Sequence, residues 1–221
     1  MKIHSIFESI SGEIGVNIPQ GTWCTFIRLQ GCNLRCKYCD TQVTQNAVGG
    51  KEMNVNEIMK HVVNQHVIIT GGEPLLDKDA FVELADALLT AGHIVQVETN
   101  GTKIPYVFSH ARDISYVIDY KGPSSGMDKV MPNAEQFILN IVGNDVIIKF
   151  VIADDQDFYF ATNKIGELYD TGYRGYFALS PIDGNPQEVQ KMVSSLRFFL
   201  DQRLLDKIIF SLQIHKICSL A

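Results

Sequence analysis

Residues 25–41 read Thr25-Phe26-Ile27-Arg28-Leu29-Gln30-Gly31-Cys32-Asn33-Leu34-Arg35-Cys36-Lys37-Tyr38-Cys39-Asp40-Thr41. This stretch joins an apolar run, typical of a buried strand, to a loop with three cysteines in a C-x3-C-x2-C pattern. The chain holds two further cysteines, Cys24 and Cys218. Neighbouring thiolates repel one another unless a cation binds them, so the loop indicates metal or redox chemistry rather than disulfide bonds.

The composition is that of an ordinary globular protein. The 221 residues suit one domain, 1–221, and 46% hydrophobic with 20% charged residues excludes a disordered chain. A net charge of -6 gives no broad basic surface, so we expect no nucleic-acid partner. No apolar run is long enough for a membrane span, and the N-terminus lacks the hydrophobic segment of a signal peptide. We therefore expect a cytoplasmic protein with no membrane partner.

Strand and helix patterns alternate along the chain. Apolar, β-branched runs predict strands at 25–29, 67–70, 94–98, 116–119, 147–152, 176–179 and 208–212. Helical spacing of apolar residues predicts helices from Asn54 or Asn56 to about Gln65, over 81–89 with Asp79 as N-cap, over 157–169 and over 189–200. The pattern predicts an α/β fold, a partial (β/α)6-type barrel of mostly parallel strands, because a complete eight-unit barrel needs ~250 residues. Functional residues are then expected after the carboxyl ends of strands.

Three cysteine ligands without an obvious fourth indicate a 4Fe-4S cluster. Such clusters usually take four cysteines, so Cys32, Cys36 and Cys39 would leave one iron open to a substrate or cofactor. The alternative is a structural zinc site completed by His66 or His93, although structural zinc usually uses two separated ligand pairs. We expect Cys24 and Cys218 to be packing residues.

Polar motifs end several predicted strands. Gly71-Gly72-Glu73-Pro74 follows the strand at 67–70, and its paired glycines let the backbone approach a ligand closely. Three later strand ends carry Glu98-Thr99-Asn100-Gly101, Asp119-Tyr120-Lys121 and Ser180-Pro181-Ile182-Asp183. Each of these segments is either a ligand contact or a simple surface turn.

The cysteine spacing followed by the Gly-Gly-Glu-Pro segment resembles the radical S-adenosylmethionine (radical SAM) superfamily. The resemblance implies a shortened radical SAM core in which SAM binds the open iron and is cleaved to a 5'-deoxyadenosyl radical. It also implies cofactor contacts at Tyr38, Cys39, Asp40, Gly72, Glu73, Glu98, Asn100, Asp119, Tyr120, Lys121, Ser180, Pro181, Ile182 and Asp183.

The N-terminal block at 6–15 and the tail at 212–216 narrow the resemblance to the 7-carboxy-7-deazaguanine synthase family. The family implies conversion of 6-carboxy-5,6,7,8-tetrahydropterin to 7-carboxy-7-deazaguanine with loss of ammonia, a step toward queuosine. Hydrogen would leave C6 of the pterin and later return, so SAM would be regenerated. The family commonly has Gln-Gly-Glu-Gly where this chain has Ser11-Gly12-Glu13-Ile14.

Arg28 is our candidate for the substrate carboxylate, because a guanidinium can bind a carboxylate with two forked donors. The alternative is an internal salt bridge to Glu8 or Glu13. The family resemblance further implies substrate contacts at Ile10, Ser11, Gly12, Glu13, Thr70 and Ala221, a magnesium ligand at Thr41, and proton transfer by His215. The alternatives are a solvated charge for Glu13, a hydroxyl bonded to the loop backbone for Thr41 and a structural histidine for His215.

The resemblance leaves partners and two rival functions open. Cluster reduction needs an electron donor, flavodoxin or ferredoxin, and a homodimer is expected on general grounds. One rival is a radical SAM activase of a glycyl radical enzyme, which would share the cysteine loop. The other is a noncatalytic zinc or iron–sulfur module.

Overall fold

The computed structural model describes residues 1–108, 111–141, 144–182 and 185–219 of the chain. The strands are β1 (Lys2–Ile10), β2 (Trp23–Leu29), β3 (Lys51–Glu52), β4 (His66–Gly71), β5 (Ile94–Thr99), β6 (Ile114–Asp119), β7 (Asp145–Ile152), β8 (Tyr176–Pro181) and β9 (Ile208–Phe210). The helices are α1 (Val55–Met59), α2 (Lys78–Thr90), α3 (Ala134–Ile141), α4 (Asp155–Thr171), α5 (Pro186–Leu196), α6 (Gln202–Leu205) and α7 (Ile214–Ile217). Within these ranges every helix falls short of the length and apolarity that crossing a bilayer requires.

The strands form one open sheet in the order β3-β1-β2-β4-β5-β6-β7-β8-β9. β2 and β4 to β9 run parallel, whereas β1 pairs antiparallel with both β2 and β3. The predicted mostly parallel α/β sheet, open rather than closed into a full barrel, is confirmed. Because the parallel strands share one direction, their carboxyl ends meet at one edge of the sheet.

The two faces of the parallel sheet differ in polarity. Successive residues of a strand point to opposite faces. One face belongs to the main core under the helices and carries Ile69, Val97, Ile118, Ile148 and Leu179. The next residue along each of the same strands lies on the opposite face: Thr70, Glu98, Asp119, Lys149 and Ser180. The inner face of the sheet is therefore polar near the carboxyl ends of its strands.

Several predicted boundaries were wrong by a few residues; the helix predicted over 189–200, for example, is Pro186–Leu196. The elements that were not predicted are β1, β3, α3, α6 and α7. α2 begins at Lys78, because the Asp77 side chain accepts from the Ala80 amide at 3.1 Å, so the N-cap is Asp77 and not Asp79. α1 ends at Met59, well before Gln65, and the chain continues in tight turns such as His61 N to Ile58 O. β9 ends at Phe210, because the following residues turn toward α7.

Candidate active site

The loop after β2 holds its cysteines by backbone hydrogen bonds to the next turn. The Gly31 amide donates to Thr44 O at 2.7 Å and the Cys32 amide to Gln45 O at 3.1 Å. The Cys39 amide donates to Cys36 O at 3.3 Å. The three cysteines Cys32, Cys36 and Cys39 are unbridged thiols and line one cavity at the carboxyl edge of the sheet.

The thiols of the cysteine loop are partly buried and have hydrogen-bond donors beside them. Burial raises the pKa of Cys32, and raises the pKa of Cys36 to about 11, so these thiols are protonated at neutral pH until a bound cation displaces their protons. Cys32 Sγ accepts from the Leu34 amide at 3.4 Å and from Asn100 Nδ2 at 3.8 Å, and such donors stabilise a thiolate. In the described part of the chain, no three His, Cys, Asp or Glu side chains are grouped to hold one metal ion. In a 4Fe-4S cube each cysteine ligand binds a different iron.

The zinc alternative does not fit the arrangement of strands. His66 begins β4 and His93 directly precedes β5, so both lie at the amino edge of the parallel sheet, opposite the cysteine loop. The His93 ring nitrogen is hydrogen-bonded to Asn64 O at 3.0 Å. Cys24 packs in β2 against Ile18 and Ile68 as predicted, whereas Cys218 is exposed and the prediction that it packs was wrong.

The glycine pair at the end of β4 lets two backbone segments pack closely together. The Gly72 amide donates to Leu29 O at 3.0 Å, and the Glu73 amide donates to Gly31 O at 2.8 Å. A Cβ atom at Gly72 would lie 1.8 Å from Gly31 O, and one at Gly71 would lie 2.3 Å from the Leu29 amide nitrogen. The glycines are therefore required for contact with the start of the cysteine loop, in addition to lining the cavity.

The Glu73 carboxylate is used inside the protein. It accepts from Thr99 Oγ1 at 2.6 Å, from the Asn100 amide at 2.8 Å and from the Leu75 amide at 3.0 Å. Burial raises its pKa, and these three donors oppose that rise. The side chain thus joins the segment after β4 to the end of β5, and Glu73, predicted as a cofactor contact, is not among the described residues that line the cavity.

A buried ionic network crosses the inner face of the sheet. Lys149 Nζ lies 3.0 Å from Glu13 Oε1 and 3.3 Å from Asp119 Oδ2, and Lys121 Nζ lies 3.0 Å from the same Asp119 oxygen. Burial acts to lower the pKa of Lys149, but Asp119 and Glu13 hold it above its usual range. For Asp119, burial acts in the opposite direction, yet the two lysines keep its pKa below the usual range. Lys149 and Asp119 are therefore charged at neutral pH.

The loop between β1 and β2 brings Glu13 into this network. Ser11 Oγ donates to Glu13 O at 2.8 Å, and Gln20 Nε2 donates to Gly12 O at 2.8 Å, which fixes the turn. Gln213, just after β9, donates from Nε2 to Glu13 Oε1 at 2.8 Å. The other carboxylate oxygen, Glu13 Oε2, is buried without a partner among the described residues.

Glu98 ends β5 on the same inner face. Thr70 Oγ1 donates to Glu98 Oε2 at 2.8 Å. Burial raises the pKa of Glu98 to about 7, and the charge of Glu13 adds to the rise. A carboxyl group of this kind is only partly ionised at neutral pH, so it can donate as well as accept a hydrogen bond.

We expect Glu98→Gln to stabilise the SAM-free protein at alkaline pH. Because the folded-state pKa lies above the ordinary 4.5, ionisation of Glu98 costs stability as the pH rises toward 7 and beyond. The melting temperature of the variant should match the wild type near pH 5 and exceed it by about 2–4 °C at pH 8. The exposed Glu83→Gln in α2 is the control and should show no such trend. A gap that is constant with pH would contradict the prediction.

The cavity unites most of the predicted site residues. It encloses about 910 Å³ outside protein atoms, part of which is open solvent. The predicted residues that line it are Glu13, Cys32, Cys36, Tyr38, Cys39, Asp40, Thr41, Thr70, Gly72, Glu98, Asn100, Asp119, Lys121 and Ile182. Residues from the cysteine loop, from four strand ends and from the N-terminal loop thus meet in one place.

The structure does not bring every predicted residue to the cavity wall. The Tyr120 side chain turns into the core, where its hydroxyl donates to Pro132 O at 2.8 Å and its ring packs on Phe137. Ser180 and Pro181 are buried at the end of β8, next to the cavity-lining Ile182, and Ser180 Oγ is unpartnered among the described residues. Ile10, Ser11 and Gly12 support the loop that carries Glu13. Asp183, Ala221 and the side chain of His215 lie outside the described residues.

Arg28 lies on the inner face of β2, directly beside Thr70 in the register of β2 and β4. Its guanidinium stacks 4.8 Å above the centre of the Phe7 ring, and its Nε is buried without a hydrogen-bond partner. The salt bridges considered as alternatives are not formed within the described part of the chain. Glu13 pairs with Lys149, and Glu8 accepts from Trp23 and Asn64.

Sequence reasoning missed the two polar residues of the cavity that contact Glu13, which are Lys149 and Gln213. Lys149 had a signal, because it is the one charge within the apolar run Ile147-Ile148-Lys149-Phe150-Val151-Ile152. Apart from its place in the tail, no feature of the sequence pointed to Gln213, because its partner Glu13 is 200 residues away. The other lining residues not predicted as site residues are Leu34, Gln45, Gly71, Thr99, Val117 and Val151.

The parallel sheet and the three-cysteine loop at its carboxyl edge define a radical SAM protein, and residues 26–133 match the Radical SAM superfamily. The chain is 38% identical to the 7-carboxy-7-deazaguanine synthase of Methanospirillum hungatei JF-1, over 100% of this chain and 86% of that protein. It is 33% identical to the synthase of Clostridium acetobutylicum, over 98% and 95% of the two chains. The chain belongs to the 7-carboxy-7-deazaguanine synthase family.

A solved structure supports the fold. The crystal structure of QueE from Escherichia coli aligns with a TM-score of 0.63 at 23% identity, over 89% of this chain and 90% of that one. Family membership makes the chain a radical SAM enzyme, with a 4Fe-4S cluster and SAM as its cofactors. The rival predictions of a glycyl-radical activase and of a noncatalytic module were therefore wrong.

Proposed function

We propose that this enzyme converts 6-carboxy-5,6,7,8-tetrahydropterin to 7-carboxy-7-deazaguanine with loss of ammonia. The observation that carries the proposal is one cavity that joins three thiols to a buried acceptor, Glu13 Oε2. The two relatives that are 38% and 33% identical to the chain are both named 7-carboxy-7-deazaguanine synthase, and these names support the same reaction. A pterin presents N–H donors on its pyrimidine ring, and an ionised carboxylate can accept hydrogen bonds from them.

The residues of the cavity divide between cofactor and substrate. Cys32, Cys36 and Cys39 would hold the cluster, and the SAM contacts would come from the strand ends, including Gly72 and Asp119. When bound, the cluster and SAM supply the one-electron chemistry that removes a hydrogen atom from C6 of the substrate and later returns it. Thr41, whose hydroxyl lies 3.4 Å from Asp40 Oδ1, would contribute a magnesium ligand, because magnesium prefers oxygen ligands.

The chain's own residues position the substrate and exclude water. Lys149 and Gln213 both donate to Glu13 Oε1, which fixes the carboxylate and leaves Oε2 for the pterin. Arg28 is not itself among the lining residues, but it lies on the same face of the sheet beside the cavity-lining Thr70, and its Nε has no hydrogen-bond partner among the described residues. We place the substrate between these groups, with its carboxylate toward Arg28, where a fixed geometry favours reaction at one carbon.

The division of the chain and its partners complete the proposal. One domain would carry an N-terminal substrate-binding segment and a C-terminal tail over the active site, with His215 transferring a proton. Flavodoxin or ferredoxin would reduce the cluster, and two chains would form a homodimer.

An anaerobic assay tests the proposed function. Reconstituted, reduced enzyme is incubated with SAM, magnesium and the carboxypterin, and both product and SAM are quantified. We expect 7-carboxy-7-deazaguanine to form over many turnovers while the SAM concentration stays constant. A colourless, zinc-loaded protein after reconstitution, or a brown protein that makes no product, would disprove the proposal.

We expect Arg28→Ala to weaken binding of the carboxypterin by about tenfold to a hundredfold, the usual worth of a charge-assisted hydrogen bond. Cluster content should stay at the wild-type level, because no cysteine contact depends on Arg28. The test is the dissociation constant from anaerobic equilibrium dialysis. Tetrahydropterin without the 6-carboxylate is the control ligand, and its binding should hardly change. Loss of the cluster instead would assign Arg28 a structural role.

A further inference from the structure

The tail segment after β9 places one buried amide against the substrate cavity. Gln213 is only 4% exposed, lines the cavity and comes from the opposite end of the chain to Glu13. Its position is fixed by the backbone, because Ser211 donates to Leu179 O at 3.0 Å and Ile217 donates to Gln213 O at 3.3 Å. The side chain therefore enters the cavity from a well-anchored segment.

The orientation of the Gln213 amide follows from its partner. Glu13 Oε1 already accepts from Lys149 Nζ, and a carboxylate oxygen cannot donate, so the group that faces it must be the amide nitrogen. The amide oxygen, Gln213 Oε1, consequently points elsewhere, and it is buried without a partner among the described residues. A buried acceptor without a donor is costly, and because Gln213 lines the cavity, a ligand that donates to Oε1 would remove this cost.

Two unpaired acceptors thus lie on neighbouring side chains of one cavity, Glu13 Oε2 and Gln213 Oε1. A pair of acceptors favours a molecular edge with two or more N–H donors and disfavours an anion or a carbonyl. The 2-amino-4-oxopyrimidine edge of a pterin has such donors, at the ring nitrogen and at the 2-amino group. A lumazine, which has an oxygen in place of the 2-amino group, would turn an acceptor toward these acceptors.

We propose that Gln213 is a substrate-binding residue that, together with Glu13, selects a 2-aminopyrimidine edge over its 2-oxo counterpart. This assignment rests on the proposed function, which supplies the pterin. Glu13 gives charge to the contact, and Gln213 adds the second acceptor that a single carboxylate oxygen cannot provide. Because Gln213 also donates to Glu13, one side chain both positions the carboxylate and binds the substrate.

The test compares binding of 6-carboxytetrahydropterin and 6-carboxytetrahydrolumazine to the reconstituted enzyme by anaerobic equilibrium dialysis. The wild type should prefer the pterin, and Gln213→Met, which keeps the length but has no amide, should lose about tenfold or more of this preference. Cluster content and the dissociation constant of SAM should stay at wild-type values. If the Met variant does not fold, Gln213→Asn, with a shorter reach, should lose preference in the same direction.

Gln20→Met is the matched control. Gln20 holds the same tail, but within the part of the chain that the structure describes its amide donates to backbone oxygens, Gly12 O and Leu212 O, and to no side chain. Its loss should change the binding of both ligands by the same factor. A Gln213 variant that keeps the wild-type preference overturns the inference, as does failure of both Gln213 variants to fold. The proposed function is judged separately, by whether the wild type forms the deazaguanine.

Discussion

Gly72→Ala should deprive the enzyme of its cluster and lower product formation by at least about a hundredfold, since a misplacement near 1 Å at a reacting centre has effects of that size. The new Cβ would lie 1.8 Å from Gly31 O and 2.4 Å from Gly31 C, both backbone atoms. No side chain can rotate to relieve this overlap, so one of the two segments must move. The hydrogen bonds Gly72 N to Leu29 O and Glu73 N to Gly31 O would then break.

Moving Gly31 affects cluster binding because Gly31 directly precedes the ligand Cys32. Displacing the start of the loop separates Cys32 from Cys36 and Cys39, and a cluster needs all three. Iron and sulfide content after anaerobic reconstitution measures this step, and the product assay measures its effect on turnover.

Gly166→Ala is the matched control for this substitution. Gly166 lies within α4, and a Cβ built on it meets nothing within 4 Å. Because alanine is the better helix former by about 0.5–1 kcal/mol, the control should keep its cluster and gain slightly in melting temperature. A Gly72→Ala enzyme with full iron content and normal turnover would show that the contact with Gly31 is not required.

The sequence allowed the sheet and the cysteine loop to be predicted because both depend on local patterns. Apolar runs such as 147–152 and 176–179 became β7 and β8 within a few residues. The Gly71-Gly72 pair was predicted to let the backbone approach a ligand. The structure gives a second reason for glycine at these positions, which depends on tertiary contacts. The atoms that a Cβ would meet belong to residues 28–31.

The alternation of side chains along a strand could have corrected one prediction, the assignment of Tyr120 to the candidate site. Asp119 and Lys121 flank Tyr120, and successive residues in extended backbone point to opposite sides. Once Asp119 and Lys121 face the cavity, Tyr120 must face the core, where it packs on Phe137 and Phe150. The resemblance to family segments predicted Asp119, Tyr120 and Lys121 all as cofactor contacts. It could not distinguish the residues that face the cavity from the one that faces the core.

Long-range partners were beyond sequence reasoning. Glu13 was predicted as a substrate contact, yet the side chains that orient it come from β7 and from the tail after β9. Local propensity says nothing about which of several charged residues meet across a sheet. The ionic network therefore forms only in the folded chain, where strands from distant parts of the sequence lie side by side.

Lys149→Met should destabilise the protein by about 3–5 kcal/mol, because removing one partner leaves a buried charge without compensation. Asp119 keeps Lys121 at 3.0 Å, but Lys149 is the only cation paired with Glu13 in the described part of the chain. The free energy of unfolding, measured by chemical denaturation of the SAM-free protein, gives the loss. Binding of the carboxypterin should weaken as well, since Glu13 is no longer held.

Lys191→Met provides the control for removing a lysine from an ion pair. Its partner is Asp155, and the two side chains are 57% and 65% exposed. Exposed pairs contribute about 0–1 kcal/mol, so this variant should unfold almost like the wild type. The comparison separates the loss of a buried pair from the loss of a lysine as such.

A second substitution tests whether Glu13 is the group whose unpaired charge destabilises the Lys149→Met variant. If the cost of Lys149→Met is the uncompensated charge of Glu13, then adding Glu13→Gln to that variant should restore a large part of the lost stability. The same Glu13→Gln change in the wild type should instead destabilise, because it leaves the Lys149 ammonium with Asp119 alone. Opposite signs of one substitution in the two backgrounds require direct coupling between the two side chains. Equal effects in both backgrounds would mean that Lys149 stabilises the fold through packing, and the network would then have no part in holding Glu13 for the substrate.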